Sequence, residues 1–175
     1  GDDTIAGGAG TDTIIFDTYL SSLDTIDGGG GFDTLSFTDS NNAADDLDGV
    51  TNVETVTLGD AATSVKTVDG LVDVGETLTV SAAALTGTNA LTWDGSAETN
   101  GSFNITGSSQ ADTITGGAGA DTVTAGSGDD TLNFVSGADL AKDAADARPE
   151  VFSKDNALDA KITELDLNAR RVKLS

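Results

Sequence analysis

The chain has 175 residues, of which 30 are acidic and 8 are basic, and its formal net charge at pH 7 is -22. It contains no cysteine and no histidine, which excludes disulfide bonds, thiolate nucleophiles, histidine general bases and zinc sites built from these residues. The charge favours cations and disfavours nucleic acid as a partner for most of the chain, and no apolar run approaches the roughly 20 residues of a membrane-spanning helix.

A nine-residue interval between aspartates runs through two blocks of the chain, residues 1–37 and 107–133. The unit is G-G-x-G-x-D-x-U-x, where U is a large aliphatic residue. Residues 7–15, 28–36 and 116–124 fit it in full, 125–133 lacks only the first glycine, and 107–115 is degenerate. The sixth-position aspartates are Asp3, Asp12, Asp24, Asp33, Asp112, Asp121 and Asp130. The chain begins partway through a unit, which indicates a piece of a longer protein.

The unit predicts a coil of alternating turns and strands. Its six glycine-rich residues can form a tight turn, because glycine adopts positive φ freely, and the next three can form a short strand with the aliphatic side chain inward. Two units per coil stack each turn on the one 18 residues away, as Asp112 lies relative to Asp130. Stacking would gather carboxylates and glycine carbonyls, and calcium takes 6–8 oxygen ligands of this kind. The 21 residues from Asp3 to Asp24 predict a break in strict stacking there.

The unit resembles the nonapeptide repeat of the RTX (hemolysin-type) family of secreted bacterial toxins, proteases and surface-layer proteins. The resemblance implies an all-β fold, a right-handed parallel β-roll or β-solenoid that binds calcium between adjacent turns, and a secreted or cell-surface location. The ligands would be the sixth-position aspartates and carbonyls of the turns. The turn glycines included in this prediction are Gly8, Gly10, Gly29, Gly31, Gly117, Gly119, Gly126 and Gly128.

Residues 38–106 lack the unit but keep a β pattern. Residues 53–58 and 76–80 alternate polar and apolar side chains with a period of two, and Asn-Gly and Asp-Gly pairs separate such runs. We therefore predict a spacer of irregular solenoid coils that continues the roll. Its predicted inward side chains are Leu91, Trp93, Phe103 and Ile105.

The composition changes at Phe134. Residues 1–133 hold 22 acidic residues and one basic residue, whereas residues 134–175 hold 8 and 7. The tail resembles the second half of the RNA-binding OB-fold repeat of the bacterial ribosomal protein S-one, most clearly at residues 148–150, 160–162 and 170–175, although Asp155 replaces a usual glycine. We predict a helical turn at 143–147 and an appended β-hairpin that turns at 166–169 and returns through 171–174.

The leading functional hypothesis is a calcium-binding structural module, not an enzyme, that folds on calcium binding and has other copies or domains of a parent surface protein as possible partners. The alternative is RNA binding through Lys161, Arg170, Arg171 and Lys173, which a half OB-fold supports poorly. Acid-base catalysis by paired carboxylates is disfavoured, because aspartates that recur in every unit indicate a repeated structural role.

Three simpler interpretations of the repeats were weighed. The glycines and aspartates could form flexible acidic loops, but their strict period argues against this interpretation. A phosphate-binding loop lacks the Lys-Ser/Thr pair that should follow the glycines. The threonines Thr113, Thr122 and Thr131 could form an ice-binding or surface-binding face, although threonine is common on any strand.

Overall fold

The computed structural model describes residues 1–39 and 43–135 together with three strands at 140–141, 162–166 and 171–174. These residues form an all-β structure in which parallel strands wind into a β-solenoid of about six turns. The predicted fold class is confirmed, while the right-handed sense of the roll stays a prediction. No helix in the described part is long and apolar enough to cross a membrane.

Sixteen strands make up the described structure, and most are three to five residues long. They are β1 (Thr4–Gly10), β2 (Thr13–Phe16), β3 (Thr25–Gly31), β4 (Thr34–Phe37), β5 (Val50–Thr51), β6 (Thr55–Leu58), β7 (Thr63–Lys66), β8 (Thr77–Ser81), β9 (Leu91–Asp94), β10 (Ser102–Thr106), β11 (Thr113–Thr115), β12 (Thr122–Thr124), β13 (Thr131–Asn133), β14 (Leu140–Ala141), β15 (Ile162–Asp166) and β16 (Arg171–Leu174).

Each coil contributes one strand to each of two faces. The even-numbered strands from β2 to β14 form a seven-stranded parallel sheet. The odd-numbered strands form the other face as two sheets, β1-β3-β5 followed by β7-β9-β11-β13. Two strands per coil is the arrangement that two nonapeptides per coil predict, and the spacer strands continue both faces without a break. The strand β14, which lies beyond Phe134, still pairs with β12.

The predicted break in stacking in the first block is wrong. The strand β1 pairs in register with β3, from Thr4 with Thr25 to Gly10 with Gly31, and β2 pairs in register with β4. Both offsets are 21 residues, and the next coil keeps this offset, because Thr34 pairs with Thr55. Residues 17–24 lie outside the strands and absorb the three extra residues of the first coil. An offset of 18 residues holds only in the second block, as between β11 and β13.

The glycine-rich runs of the first block differ from the predicted tight turns. Residues 7–10 and 28–31 lie within β1 and β3, because the main chains of successive coils pair through the glycines. In the second block, residues 116–121 form a turn between β11 and β12, as predicted.

The core is one continuous column of apolar side chains between the two faces. Along each strand the side chains alternate between inside and outside, so that the aliphatic residue of each nonapeptide, such as Ile114, Val123 or Leu132, points inward. The spacer contributes the largest buried side chains, Trp93 and Phe103, whose rings meet edge to face with centroids 5.4 Å apart. The predicted inward side chains of the spacer are all confirmed, and each is at most 1% exposed.

The strands predicted in the spacer and tail match β6, β8 and the hairpin of β15 and β16. This hairpin is antiparallel, with Leu165 opposite Val172 and Asp166 opposite Arg171. The predicted helical turn at 143–147 lies outside the described residues, as do Lys161 and Arg170. The OB-fold resemblance and the domain boundaries stay predictions.

Replacing Ile105, which is fully buried in β10, by alanine should lower the free energy of unfolding by about 2–5 kcal/mol, because the change removes core contacts and leaves a cavity. The matched control is Ile15→Ala on β2, where the side chain is 69% exposed and the expected loss is below about 1 kcal/mol. Denaturant unfolding in saturating calcium measures both. Equal losses would contradict the assignment of inner and outer faces.

Candidate calcium site

The sixth-position aspartates link successive coils. In each case the Oδ1 atom of the aspartate accepts a hydrogen bond from a main-chain N–H one coil earlier in the chain. The pairs are Asp24 with Asp3 N (2.8 Å), Asp33 with Asp12 N (2.8 Å), Asp112 with Leu91 N (2.7 Å), Asp121 with Phe103 N (2.7 Å) and Asp130 with Asp112 N (2.9 Å). These contacts hold the corner where a glycine-rich segment passes into a strand.

The accepting aspartates of these five pairs are all buried, with at most 4% of each residue exposed. Asp12, in the first coil, is half-buried, and Asp3 is exposed. The N–H of Asp3 lowers the pKa of Asp24, and the Ser21 side chain adds to this effect against the opposing cost of burial. Burial raises the pKa of Asp121, and hydrogen bonds from Phe103 and Gly117 oppose it. Burial thus disfavours the charged form at both sites, and main-chain donors offset it to different degrees.

The second carboxylate oxygen separates the aspartates into two groups. In the first group it closes the local turn, as where Oδ2 of Asp112 accepts from Ser108 N at 2.6 Å and Oδ2 of Asp121 accepts from Gly117 N at 2.7 Å. In the second group, Oδ2 of Asp12 and of Asp33 is buried and has no hydrogen-bond partner. A buried anionic oxygen without a donor is costly, so these two atoms mark positions that fit a cation.

Main-chain carbonyls lie beside the unpartnered oxygens. A Cβ placed on Gly28 would lie 2.9 Å from Oδ2 of Asp33 and would overlap the carbonyl oxygen of Asn52 in the next coil. A Cβ on Gly7 would likewise lie 3.1 Å from Oδ2 of Asp12 and would overlap the carbonyl of Gly28. The first glycine of each unit therefore leaves room between a carboxylate oxygen and a carbonyl oxygen of the following coil.

The predicted turn glycines lie against the preceding coil. Gly29 and Gly31 have φ of 100° and 140° and stack on Gly8 and Gly10, whose carbonyl oxygens a Cβ would overlap. In the second block, the same close approach to carbonyls of the preceding coil is made by Gly117 to Glu98, Gly119 to Gly101, Gly126 to Ser108 and Gly128 to Gln110. The sequence thus identified positions that meet between coils, although which carbonyls bind an ion stays a prediction.

All of these donors are oxygens, the ligand type that calcium prefers. In the described part of the chain, no group of three or more acidic side chains surrounds a single point closely enough to hold a metal. A cation at these positions would therefore need main-chain oxygens and water in addition to one or two carboxylates. Within these limits the residues fit calcium.

Two glutamates in the spacer act in the same network and were missed by the sequence analysis. Oε2 of Glu54 accepts from Asp33 N at 2.6 Å, as Asp33 itself accepts from Asp12 N. Glu54 follows Asp33 by 21 residues and precedes Thr55-Val56, so the spacing contained this signal. Glu98 is fully buried and accepts main-chain N–H groups from both its own turn and the preceding coil, including Gly101 at 3.0 Å and Val72 at 3.3 Å. No spacing in the sequence identifies Glu98.

The Gly28→Ala variant should lose about 1–3 kcal/mol of stability, because its Cβ meets the Asn52 carbonyl and the packed coils must move apart. Gly30→Ala in the same strand is the matched control, since a Cβ there has nothing within 4 Å and should change stability by less than about 1 kcal/mol. Denaturant unfolding in calcium compares them, and a Gly28→Ala protein as stable as Gly30→Ala would contradict this close approach of coils.

The known family with a matching sequence model is the RTX calcium-binding nonapeptide repeat, found in four copies over residues 1–17, 23–36 and 104–141. No curated protein and no solved structure was found to match the chain. The matched segments contain every sixth-position aspartate described above and the coils that stack through their glycines. The chain therefore carries RTX calcium-binding nonapeptide repeats, folded as a β-roll.

Proposed function

We propose that this chain is a calcium-binding structural module of a secreted or cell-surface bacterial protein, and that its nonapeptide coils fold when calcium binds. RTX repeats are typical of secreted bacterial proteins and bind calcium, which supports the location and the ion. The proposed ligands are the sixth-position aspartates and carbonyls of the stacked glycine-rich segments. The parent protein's own activity would reside in other segments.

The observation that carries this proposal is the pair of unpartnered oxygens on Asp12 and Asp33. Each lies beside a carbonyl oxygen of the following coil, and each recurs at the same place in the repeat. An anionic oxygen beside a carbonyl oxygen is unfavourable unless a cation lies near both. Calcium would supply the positive charge, and the residues of this chain would supply the oxygens.

The charge balance also supports a cation. Residues 1–133 hold 22 acidic residues, and Lys66 is their single basic residue. Protein cations from this region therefore cannot offset the buried carboxylates, and self-repulsion opposes the compact state. Calcium at concentrations typical outside cells would reduce that repulsion, so folding and export would be coupled.

The energies are of the right size for a switch. Extracellular calcium modules bind with Kd of about 10⁻⁴–10⁻³ M. With free calcium at about one to ten times Kd, each site adds roughly 0.4–1.4 kcal/mol to stability. Several sites together reach a few kcal/mol, which is comparable with the total stability of a small domain.

The coils differ in how much they should depend on calcium. In the second block, each nonapeptide buries one large aliphatic side chain, namely Ile114, Val123 or Leu132. The spacer buries many more, including Trp93 and Phe103, and polar cross-coil bonds such as Thr86 Oγ1 to Asp60 (2.6 Å) add to them. Calcium should therefore matter most in the second block and least in the spacer.

A calcium titration followed by far-UV circular dichroism tests the proposal. We expect a cooperative gain of β signal with calcium and none with magnesium, because magnesium loses its water reluctantly and needs octahedral sites. The Asp33→Asn variant should require several-fold more calcium for the same signal. A chain with its full β signal in chelator, and no further response to calcium, would contradict the proposal.

The control for Asp33→Asn is Asp17→Asn, which removes the same charge from an exposed position in the same block. Its titration should match that of the parent chain. If both variants shift equally, the effect of Asp33 is only one of overall charge, and the assigned site is wrong.

Hydrogen exchange with mass spectrometry should resolve the order of dependence. In chelator, amides of residues 107–133 should lose protection by at least tenfold more than amides of residues 77–106, because the second block has the smaller apolar core. The single tryptophan, Trp93, should keep a buried-type emission spectrum. Equal loss of protection across the roll would show that calcium controls all coils as one unit.

A further inference from the structure

Three buried aspartates meet outside the regular nonapeptide turns. Asp24 precedes β3, Asp39 follows β4, and Asp46 lies in the turn that leads to β5. Their exposed fractions are 2%, 4% and 2%. We refer to these three residues as the Asp46 cluster. Asp39 and Asp46 belong to the spacer, where the repeat predicts no ligand.

Asp46 differs from the other two members in its hydrogen bonding. Asp24 accepts from Asp3 N and from both Ser21 N and Ser21 Oγ, and Oδ2 of Asp39 accepts from Ser64 N at 3.1 Å. Oδ1 of Asp46 is buried and has no hydrogen-bond partner. The structure thus encloses a carboxylate oxygen but provides no donor for it.

The electric field at Asp46 is strongly negative. Burial raises the pKa of Asp46 to about 7, and the charges of Asp39, Asp45 and Asp24 raise it further. A buried carboxylate in such surroundings either takes up a proton or binds a cation. A proton would neutralise Asp46 alone and leave the other members of the cluster charged, whereas one divalent cation would offset two carboxylates.

We propose that Asp46 and Asp39 bind a calcium ion at a site separate from the nonapeptide turns, with Asp24 contributing negative charge nearby. Because no three side chains surround one point in the described residues, main-chain oxygens and water would complete the shell. The site would fix the turn at 45–48 where the second coil passes into the third. That turn is already tied to the fourth coil, since Lys66 N donates to Ala44 O at 2.7 Å.

The Asp46 site would join the first nonapeptide block to the spacer. Without an ion, the cluster opposes closure of this coil; with an ion, it holds the coil closed. The inference adds a site to the proposed calcium function, but it does not depend on which nonapeptide turns are occupied.

The test counts calcium ions bound per chain, by isothermal titration calorimetry and equilibrium dialysis, in the full chain and in two variants. Asp46→Asn should bind one calcium ion fewer than the parent and should show a smaller rise in Tm on adding calcium. Asp45→Asn removes the same charge from the exposed neighbouring position and should keep the parent stoichiometry. In chelator, Asp46→Asn should be at least as stable as the parent, because it removes an uncompensated buried charge.

The outcomes are distinguishable. If Asp46→Asn binds as many ions as Asp45→Asn and is more stable both in chelator and in calcium, then Asp46 is a buried protonated acid and the site is wrong. If Asp46→Asn does not fold, Asp39→Asn decides, since it too should lose one ion. If the parent chain binds no calcium, the proposed function fails as a whole, whereas a failure limited to the variants removes only this site.

Discussion

The hydrogen bond from a main-chain N–H to a carboxylate in the following coil fixes how the coils of this protein stack. It repeats from Asp12 to Asp33 and from Asp33 to Glu54, and again from Asp112 to Asp130. Each such bond places an acidic side chain inside the roll, at the corner where a glycine-rich segment becomes a strand. Glycine is needed at that corner because main chains of neighbouring coils approach too closely for a Cβ, as at Gly28. The same arrangement that stacks the coils therefore concentrates negative charge between them.

That concentration of charge explains why the fold and the ion belong together. Main-chain donors satisfy some of the buried carboxylate oxygens, as at Asp112 and Asp121, whereas Oδ2 of Asp12 and of Asp33 has none. A region with Lys66 as its single basic residue has no internal means of balancing them. A divalent cation from solution links stability to the composition of the surroundings, which suits a module that should fold only after export. The residual dependence on apolar packing would then set which coils need the ion.

The spacer shows that the roll continues without the nonapeptide. Its coils are longer, with Thr55 paired to Thr79 and Thr79 to Asn104, yet both faces and the core run through it. Large side chains such as Trp93 supply burial that glycine-rich units cannot, and Glu98 gathers N–H groups as the repeat aspartates do. Apolar packing in the spacer and ion binding in the blocks are thus two solutions to the same need, which is to hold successive coils together.

The sequence by itself determined the class of fold, the inward residues of each repeat and the aspartates that link coils, because a nine-residue period leaves few ways to arrange glycine, aspartate and an aliphatic residue. It also identified Leu91, Trp93, Phe103 and Ile105 as core, since alternation along a strand is local. Tertiary structure alone decided that a 21-residue coil stacks as well as an 18-residue one, because extra residues leave the strands as loops without changing register. It alone brought Asp24, Asp39 and Asp46 together, since contacts between separate coils depend on loop paths that no local spacing records.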